Sequence, residues 1–265
     1  MFYVRQIARF LLLVPMALVA VQGNAQTDEG PDDGDAIPRV IPVLDPGAHT
    51  QPICAMGFSS DKKRLITVGE DSSVQVWSSS TGERLDILRL PAYGHEQVSN
   101  TKAWNVAAVS DDGRFVAIGG GQRKFLSAGN KSGQAKLLVV DVESRTVRPV
   151  NSPPGIVTAV AFDSNYRLAV AYSGNASDIL IFPNVGTGEI KRRRTEKLSV
   201  LNVKASATCL KFSPDGMKLF ASYGDQEGVL WDLSASSPTI VRRFPAEGTT
   251  SSVSWSPDQK RFLRA

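Results

Sequence analysis

One phrase recurs five times between residues 58 and 260, and a chain built on it has few folds open to it. The phrase is an aromatic residue or valine, then a short polar turn with a cation in or just after it, then an apolar stretch. Its copies are Phe58-Ser59-Ser60-Asp61-Lys62-Lys63, Val109-Ser110-Asp111-Asp112-Gly113-Arg114 and Phe162-Asp163-Ser164-Asn165-Tyr166-Arg167. Phe212-Ser213-Pro214-Asp215-Gly216-Met217 and Trp255-Ser256-Pro257-Asp258-Gln259-Lys260 complete the set, at successive intervals of 51, 53, 50 and 43 residues. Every turn combines Asp or Asn with Ser, residues that close tight turns by bonding to nearby backbone N–H groups. A fixed period of this size means a repeat architecture.

The segments around each turn read as strands. Ile156-Val157-Thr158-Ala159-Val160-Ala161-Phe162 precedes one, and Arg64–Val68, Phe115–Ile118, Leu168–Tyr172 and Leu219–Ser222 follow the first four. A third strand comes next in each unit at Val74–Trp77, Leu137–Val140, Ile179–Phe182 and Val229–Trp231, and a more polar fourth follows, as at Glu83–Leu88. None of these runs has the length or the 3.6-residue period of an amphipathic helix. Four short strands per unit, repeated every 40–50 residues or so, is the signature of β-propeller blades. The expected fold is all-β, with four blades and the start of a fifth in an incomplete ring.

These units resemble WD repeats, the four-stranded blades of a β-propeller family, over residues 40–265. The first unit is the nearest in pattern. His49 stands nine residues before Phe58, and Thr67, Asp71 and Trp77 fall where that family has a strand Ser/Thr, a turn Asp and a strand-ending Trp. The resemblance implies a structural relay from His49 through Thr67 and Asp71 to Trp77. Gly94-His95 resembles a second Gly-His ahead of blade two, and Asp225 and Trp231 keep the same separation in blade four. Ala48 stands in place of the family's Gly, Ser78 follows Trp77, Val140 and Phe182 replace Trp, and Ala221 stands where a hydroxyl belongs. Asn175 is the candidate turn residue of blade three.

Ahead of the repeats, Arg5 and Arg9 precede an apolar run from Leu11 to Val21 broken by Pro15, and Gly23-Asn24-Ala25 offers small residues for cleavage. This layout predicts a signal peptide at 1–25 and an exported, periplasmic or extracellular protein. The run is about half the ~20 residues of a spanning helix, so no membrane span is expected after leader cleavage. Residues 26–39 read as an acidic flexible linker, with five acids and no periodicity before residue 38. The whole chain carries +4, but Arg5 and Arg9 supply two of those charges, and the remainder is too small to argue for nucleic acid.

Two histidines and two cysteines leave little material for chemistry. Neither a histidine-rich metal site nor a four-cysteine zinc site is open to the chain. Cys54 and Cys209 read as small buried residues with no base at hand, and in an oxidising compartment nothing in the sequence says that they meet. Gly129-Asn130-Lys131-Ser132 lacks the Gly of a phosphate loop and precedes a strand, not a helix. No cofactor is expected. The basic run Lys191-Arg192-Arg193-Arg194, with Lys197, reads as a solvated outer edge on the fourth strand of blade three, set against an anion-binding patch.

Blade two is about twelve residues longer than blades one and four between its second and third strands, around residues 122–133. Arg123, Lys124 and Phe125 there form a candidate partner-binding loop, set against a merely tolerated surface insertion. The expected function is a non-catalytic protein–protein interaction scaffold. One alternative is a sensing or recruitment module of a larger enzyme, with a protease- or kinase-like domain beyond residue 265. Another is a propeller enzyme such as a lactonase or dehydrogenase. Since a blade buries its faces only against neighbours, the expectation is an N-terminal fragment of a longer protein, with self-association of a short arc as the rival. Arg39-Val40-Ile41-Pro42-Val43-Leu44 is the candidate strand for locking the ring.

Overall fold

In a computed structural model of the chain the described residues are 47–90, 106–120, 136–150, 155–173, 179–186, 196–198, 206–224, 227–235, 237–245, 250, 252–256, 258 and 261–264. All belong to one compact unit, Leu44–Ala265; the other unit, Met1–Val43, lies outside them, together with the leader, the acidic linker and the candidate locking strand.

The described secondary structure consists of strands. Sheet one is β1 (Ile53–Phe58), β2 (Arg64–Gly69), β3 (Ser73–Ser78) and β4 (Arg84–Arg89), and sheet two is β5 (Val106–Val109), β6 (Phe115–Gly120), β7 (Lys136–Asp141) and β8 (Thr146–Pro149). Sheet three is β9 (Ile156–Phe162), β10 (Leu168–Ser173), β11 (Ile179–Phe182) and β12 (Glu196–Leu198). Sheet four is β13 (Cys209–Phe212), β14 (Lys218–Ser222), β15 (Glu227–Asp232) and β16 (Thr239–Pro245), followed by the hairpin β17 (Val253–Trp255) and β18 (Phe262–Arg264). Each four-stranded sheet is an antiparallel meander in chain order, so four blades and the start of a fifth are present.

The outer strand of sheet three is Glu196–Leu198, paired with Ile179–Ile181, and Lys197 of the basic run lies on it opposite Leu180. Lys191–Arg194 lie outside the described residues.

The period of two sorts each central strand between two neighbours. On β6, Val116 and Ile118 pack with Ile66, Val68, Val74 and Val76 of sheet one, whereas Phe115 and Ala117 pack with Leu168 and Val170 of sheet three. On β10, Ala169 and Ala171 face Leu219, Ala221 and Trp231 of sheet four. Sheets two and three are covered on both faces, which is why their strands read as unbroken apolar runs and why all six residues of β6 are buried. Burying a side chain the size of Val or Leu is worth about 1.5–3 kcal/mol, so the stability of each blade resides in its neighbours.

The recurrent turns tie adjacent sheets together. Ser59 Oγ donates to Asp61, and the backbone N–H of Arg64 returns to Ser59 Oγ at 3.0 Å. Ser110–Asp112, Ser213–Asp215 and Ser256–Asp258 make the same side-chain bond. The fourth turn residue is left-handed in Lys62, Gly113, Tyr166 and Gly216, with φ between 59° and 74°. Ser60 N–H then donates to the Asp112 carbonyl at 3.1 Å, the Tyr166 hydroxyl to the Asp112 carboxylate at 2.6 Å, and the Arg167 guanidinium to the Gly216 carbonyl. These contacts cross from sheet one to two, three to two and three to four.

Candidate functional site

The densest polar constellation lies on the face of sheet one that points away from sheet two. Leu65 and Thr67 on β2, and Ser73, Gln75 and Trp77 on β3, share this face by register. The Trp77 indole N–H donates to Thr67 Oγ1 at 2.7 Å, and His49 Nε2 lies 2.8 Å from the same oxygen. His49 Nδ1 sits 3.1 Å from both carboxylate oxygens of Asp71. The structure therefore brings His49, Thr67, Asp71 and Trp77 together. Thr67 Oγ1 accepts from Trp77, and His49 bridges that hydroxyl to the Asp71 carboxylate, so the four side chains serve as one another's hydrogen-bond partners.

Asp71 collects more than the histidine. The backbone N–H groups of Thr50 and Ser73 donate to it at 2.9 and 3.1 Å, and the Ser73 hydroxyl at 2.7 Å. Burial opposes ionisation, but the bonds from Ser73, Thr50 and His49 outweigh it and hold the carboxyl below the usual aspartate range. Gln75 Nε2 extends the network to Ser73 Oγ at 3.2 Å. Sequence reasoning missed Ser73 and Gln75, although they lie four and two residues before Trp77, on the face that period two assigns to it. It also missed Gly69, where a Cβ would stand 2.4 Å from His49 Nδ1 and 2.6 Å from Asp71 Oδ1.

The constellation holds structure. The side chains of His49 and Asp71 are 4% and 10% exposed, and the Thr67 hydroxyl is taken by Trp77 and His49. A nucleophile must meet substrate, and this hydroxyl meets only its own blade. Cys54, on β1, donates its thiol to the Val68 carbonyl at 3.3 Å, and burial pushes its pKa up to about 11. Burial also raises Cys209 on β13; both cysteines are free thiols. Among the described residues no three His, Cys, Asp or Glu side chains are grouped to hold a metal ion, and no helix is long and apolar enough to cross a membrane.

Blade four holds the Trp without the hydroxyl. Trp231 pairs with Leu219 as Trp77 pairs with Leu65, and Ala221 holds the register position of Thr67. The buried Trp231 Nε1 finds no acceptor among the described residues. Ala221→Ser is expected to supply that acceptor and to stabilise the protein by about 1 kcal/mol in a denaturant titration. In the two sheets whose third strand carries Trp, the outer strand has a register shift opposite it, whereas β8 pairs without one beside Val140. The extra residue bends the outer strand past the indole, leaving Leu85 57% and Val241 52% exposed.

His95, Asn175 and Asp225 lie outside the described residues, as do Arg123, Lys124 and Phe125 of the blade-two insertion. Comparison with known proteins gives three findings. Residues 41–78, the span holding the relay, match the family model "WD domain, G-beta repeat". The chain is 26% identical over 194 residues to "Small ribosomal subunit protein RACK1" of Drosophila melanogaster, covering 71% of this chain and 54% of that protein. It is 40% identical over 57 residues to "WD repeat-containing protein 26 homolog" of the same organism, covering 20% of this chain and 9% of that protein. The chain thus spans about half the length of one of these relatives and a small part of the other. Recurrent four-stranded meanders, stacked face to face and carrying the matched repeat in the first of them, make the fold that of WD-repeat β-propeller blades in a ring that is not closed.

Proposed function

We propose that this protein is a non-catalytic scaffold for protein–protein interaction and that it works outside the cytoplasm. The observation that carries the reading is that the relay closes on itself: its His, Asp and Thr side chains bond to one another and keep Trp77 in place. A stack of sheets braced in this way offers rigid ends and loops of free sequence, where binding residues concentrate. The WD-repeat match and the similarity to RACK1 support an interaction role. The charged, apolar and small-residue order of positions 1–25 supports export.

The contact loop is the blade-two insertion with Arg123, Lys124 and Phe125. Replacing the three together with alanine is expected to abolish capture of the protein's partner from its native compartment and to leave the melting temperature unchanged. Undiminished capture by the triple variant removes the site assignment. A chain isolated from its source should begin near Gln26; an intact Met1 removes the export reading.

A further inference from the structure

The first turn of sheet three is one residue shorter than its counterparts. Phe58 pairs with Leu65, Val109 with Val116, Phe212 with Leu219 and Trp255 with Phe262, each seven positions on, whereas Phe162 pairs with Leu168, six positions on. An exchange of side chains goes with the shortening. In sheet one the backbone donors of the turn are divided, Ser59 Oγ accepting from the Arg64 N–H at 3.0 Å and Asp61 Oδ1 from the Lys63 N–H at 3.0 Å. In sheet three Asp163 stands at the serine position and does both with one oxygen, accepting from the Asn165 and Arg167 N–H groups at 2.9 and 2.7 Å. Its other oxygen is thereby left for a side chain.

That side chain is Arg167. Its Nε donates to Asp163 Oδ2 at 2.6 Å, and the Asp163 side chain is fully buried. The far end of the guanidinium donates to the Gly216 carbonyl in the turn of sheet four, with the Phe212 ring centroid 5.5 Å away. Gly216, at φ 70°, leaves the room this needs, since a Cβ there would stand 2.8 Å from Asp163 Oδ2 and 2.9 Å from Arg167 Nη2. Tyr166 reaches the other way. It holds φ 59° at the turn position of Gly113 and Gly216, an unfavourable conformation for a residue with a side chain. Its hydroxyl donates to Asp112 of sheet two at 2.6 Å, and its ring meets Phe115 of the same sheet edge-on at 5.0 Å. Arg64 precedes Leu65 as Arg167 precedes Leu168, yet it meets Glu143 of sheet two at 3.6 Å with the two side chains 41% and 53% exposed. Ion pairs so exposed contribute little.

We propose that the shortened turn of sheet three is a two-way latch: Tyr166 fastens sheet three to sheet two, and the Asp163–Arg167 pair fastens it to sheet four, so that the three sheets open together. In a stack of repeats the stability of each unit and the contacts between neighbours are separate quantities, and cooperativity follows the contacts. Apolar packing joins each neighbouring pair among sheets one to four. A hydrogen bond to a charged group adds a directional contact that is lost altogether once two sheets part. The latch goes beyond the scaffold reading and stands or falls independently of it.

Native-state hydrogen exchange on the full chain tests it, read at the amides of β6, β10 and β14. In the wild type the three strands should exchange through a common opening. Arg167→Gln should let β14 open about tenfold more often than β10, the size expected when a hydrogen bond to a charged group is lost. Tyr166→Phe, which keeps the ring and removes only the hydroxyl, should do the same for β6. Arg64→Gln, the matching change in sheet one, should leave β2 and β6 related as they are in the wild type. Arg167→Lys keeps the charge but not the fork that spans Asp163 and Gly216, and it serves in place of Arg167→Gln should that variant not fold. Wild-type strands that open separately, or variants in which β6, β10 and β14 still exchange as one, overturn the proposal. So does a parting of β2 from β6 in Arg64→Gln as large as that of β14 from β10, because an exposed cation would then do as much.

Discussion

Asp71→Ala is expected to lower the unfolding free energy by about 3 kcal/mol at neutral pH, measured by urea titration. The carboxylate accepts from two backbone N–H groups, a serine hydroxyl and His49. Its removal strands buried donors at a cost of about 1–3 kcal/mol each, partly recovered where water reaches them. The pH dependence has a defined sign. The folded-state pKa is depressed, so the contribution is complete above the unfolded value of about 4 and fades as pH falls through the lower folded value. The gap between wild type and variant should therefore narrow in acid. A gap that stays constant from pH 7 to pH 3, or no gap at all, would show that Asp71 does not carry the relay.

Gly119→Ala is expected to cost about 1–3 kcal/mol by a different route, overpacking between sheets. A Cβ on Gly119 would lie 2.6 Å from Val157 Cγ1 and 2.8 Å from Val157 Cβ, closer than carbon atoms approach. Val157 is β-branched and sits on β9, so it has no free rotamer to yield into and the two sheets must part. Val157→Ala in the same molecule should recover much of the loss, giving a coupling energy in a double-mutant cycle. Strictly additive effects would place the strain elsewhere.

Much of the blade pattern was legible before any coordinates. Ile156–Phe162 and Ile179–Phe182 were read from the chain with the ends they have in the structure, because turn residues bound a short apolar run on both sides. Thr67, Asp71 and Trp77 were singled out by their resemblance to the WD-repeat pattern, and a strand and a tight turn hold them within eleven residues. The outer strand of sheet three was less legible for the converse reason. An outer strand buries little, so composition marks it weakly, and only its pairing with β11 locates it at Glu196–Leu198.

Periodicity within the chain was thus enough to determine strand number, strand order within each sheet and the alternation of faces, since these depend on residues close in sequence. What each face meets was decided only by the tertiary structure. Phe58 and Phe212 sit in the same phrase and the same register, yet one is half exposed and the other buried, because sheet three stands beside only the second. Likewise Tyr166 reads as one turn residue among several until its hydroxyl is found on Asp112 of the neighbouring sheet. Burial and hydrogen bonding between sheets join residues about fifty positions apart, and no local pattern encodes a neighbour at that distance.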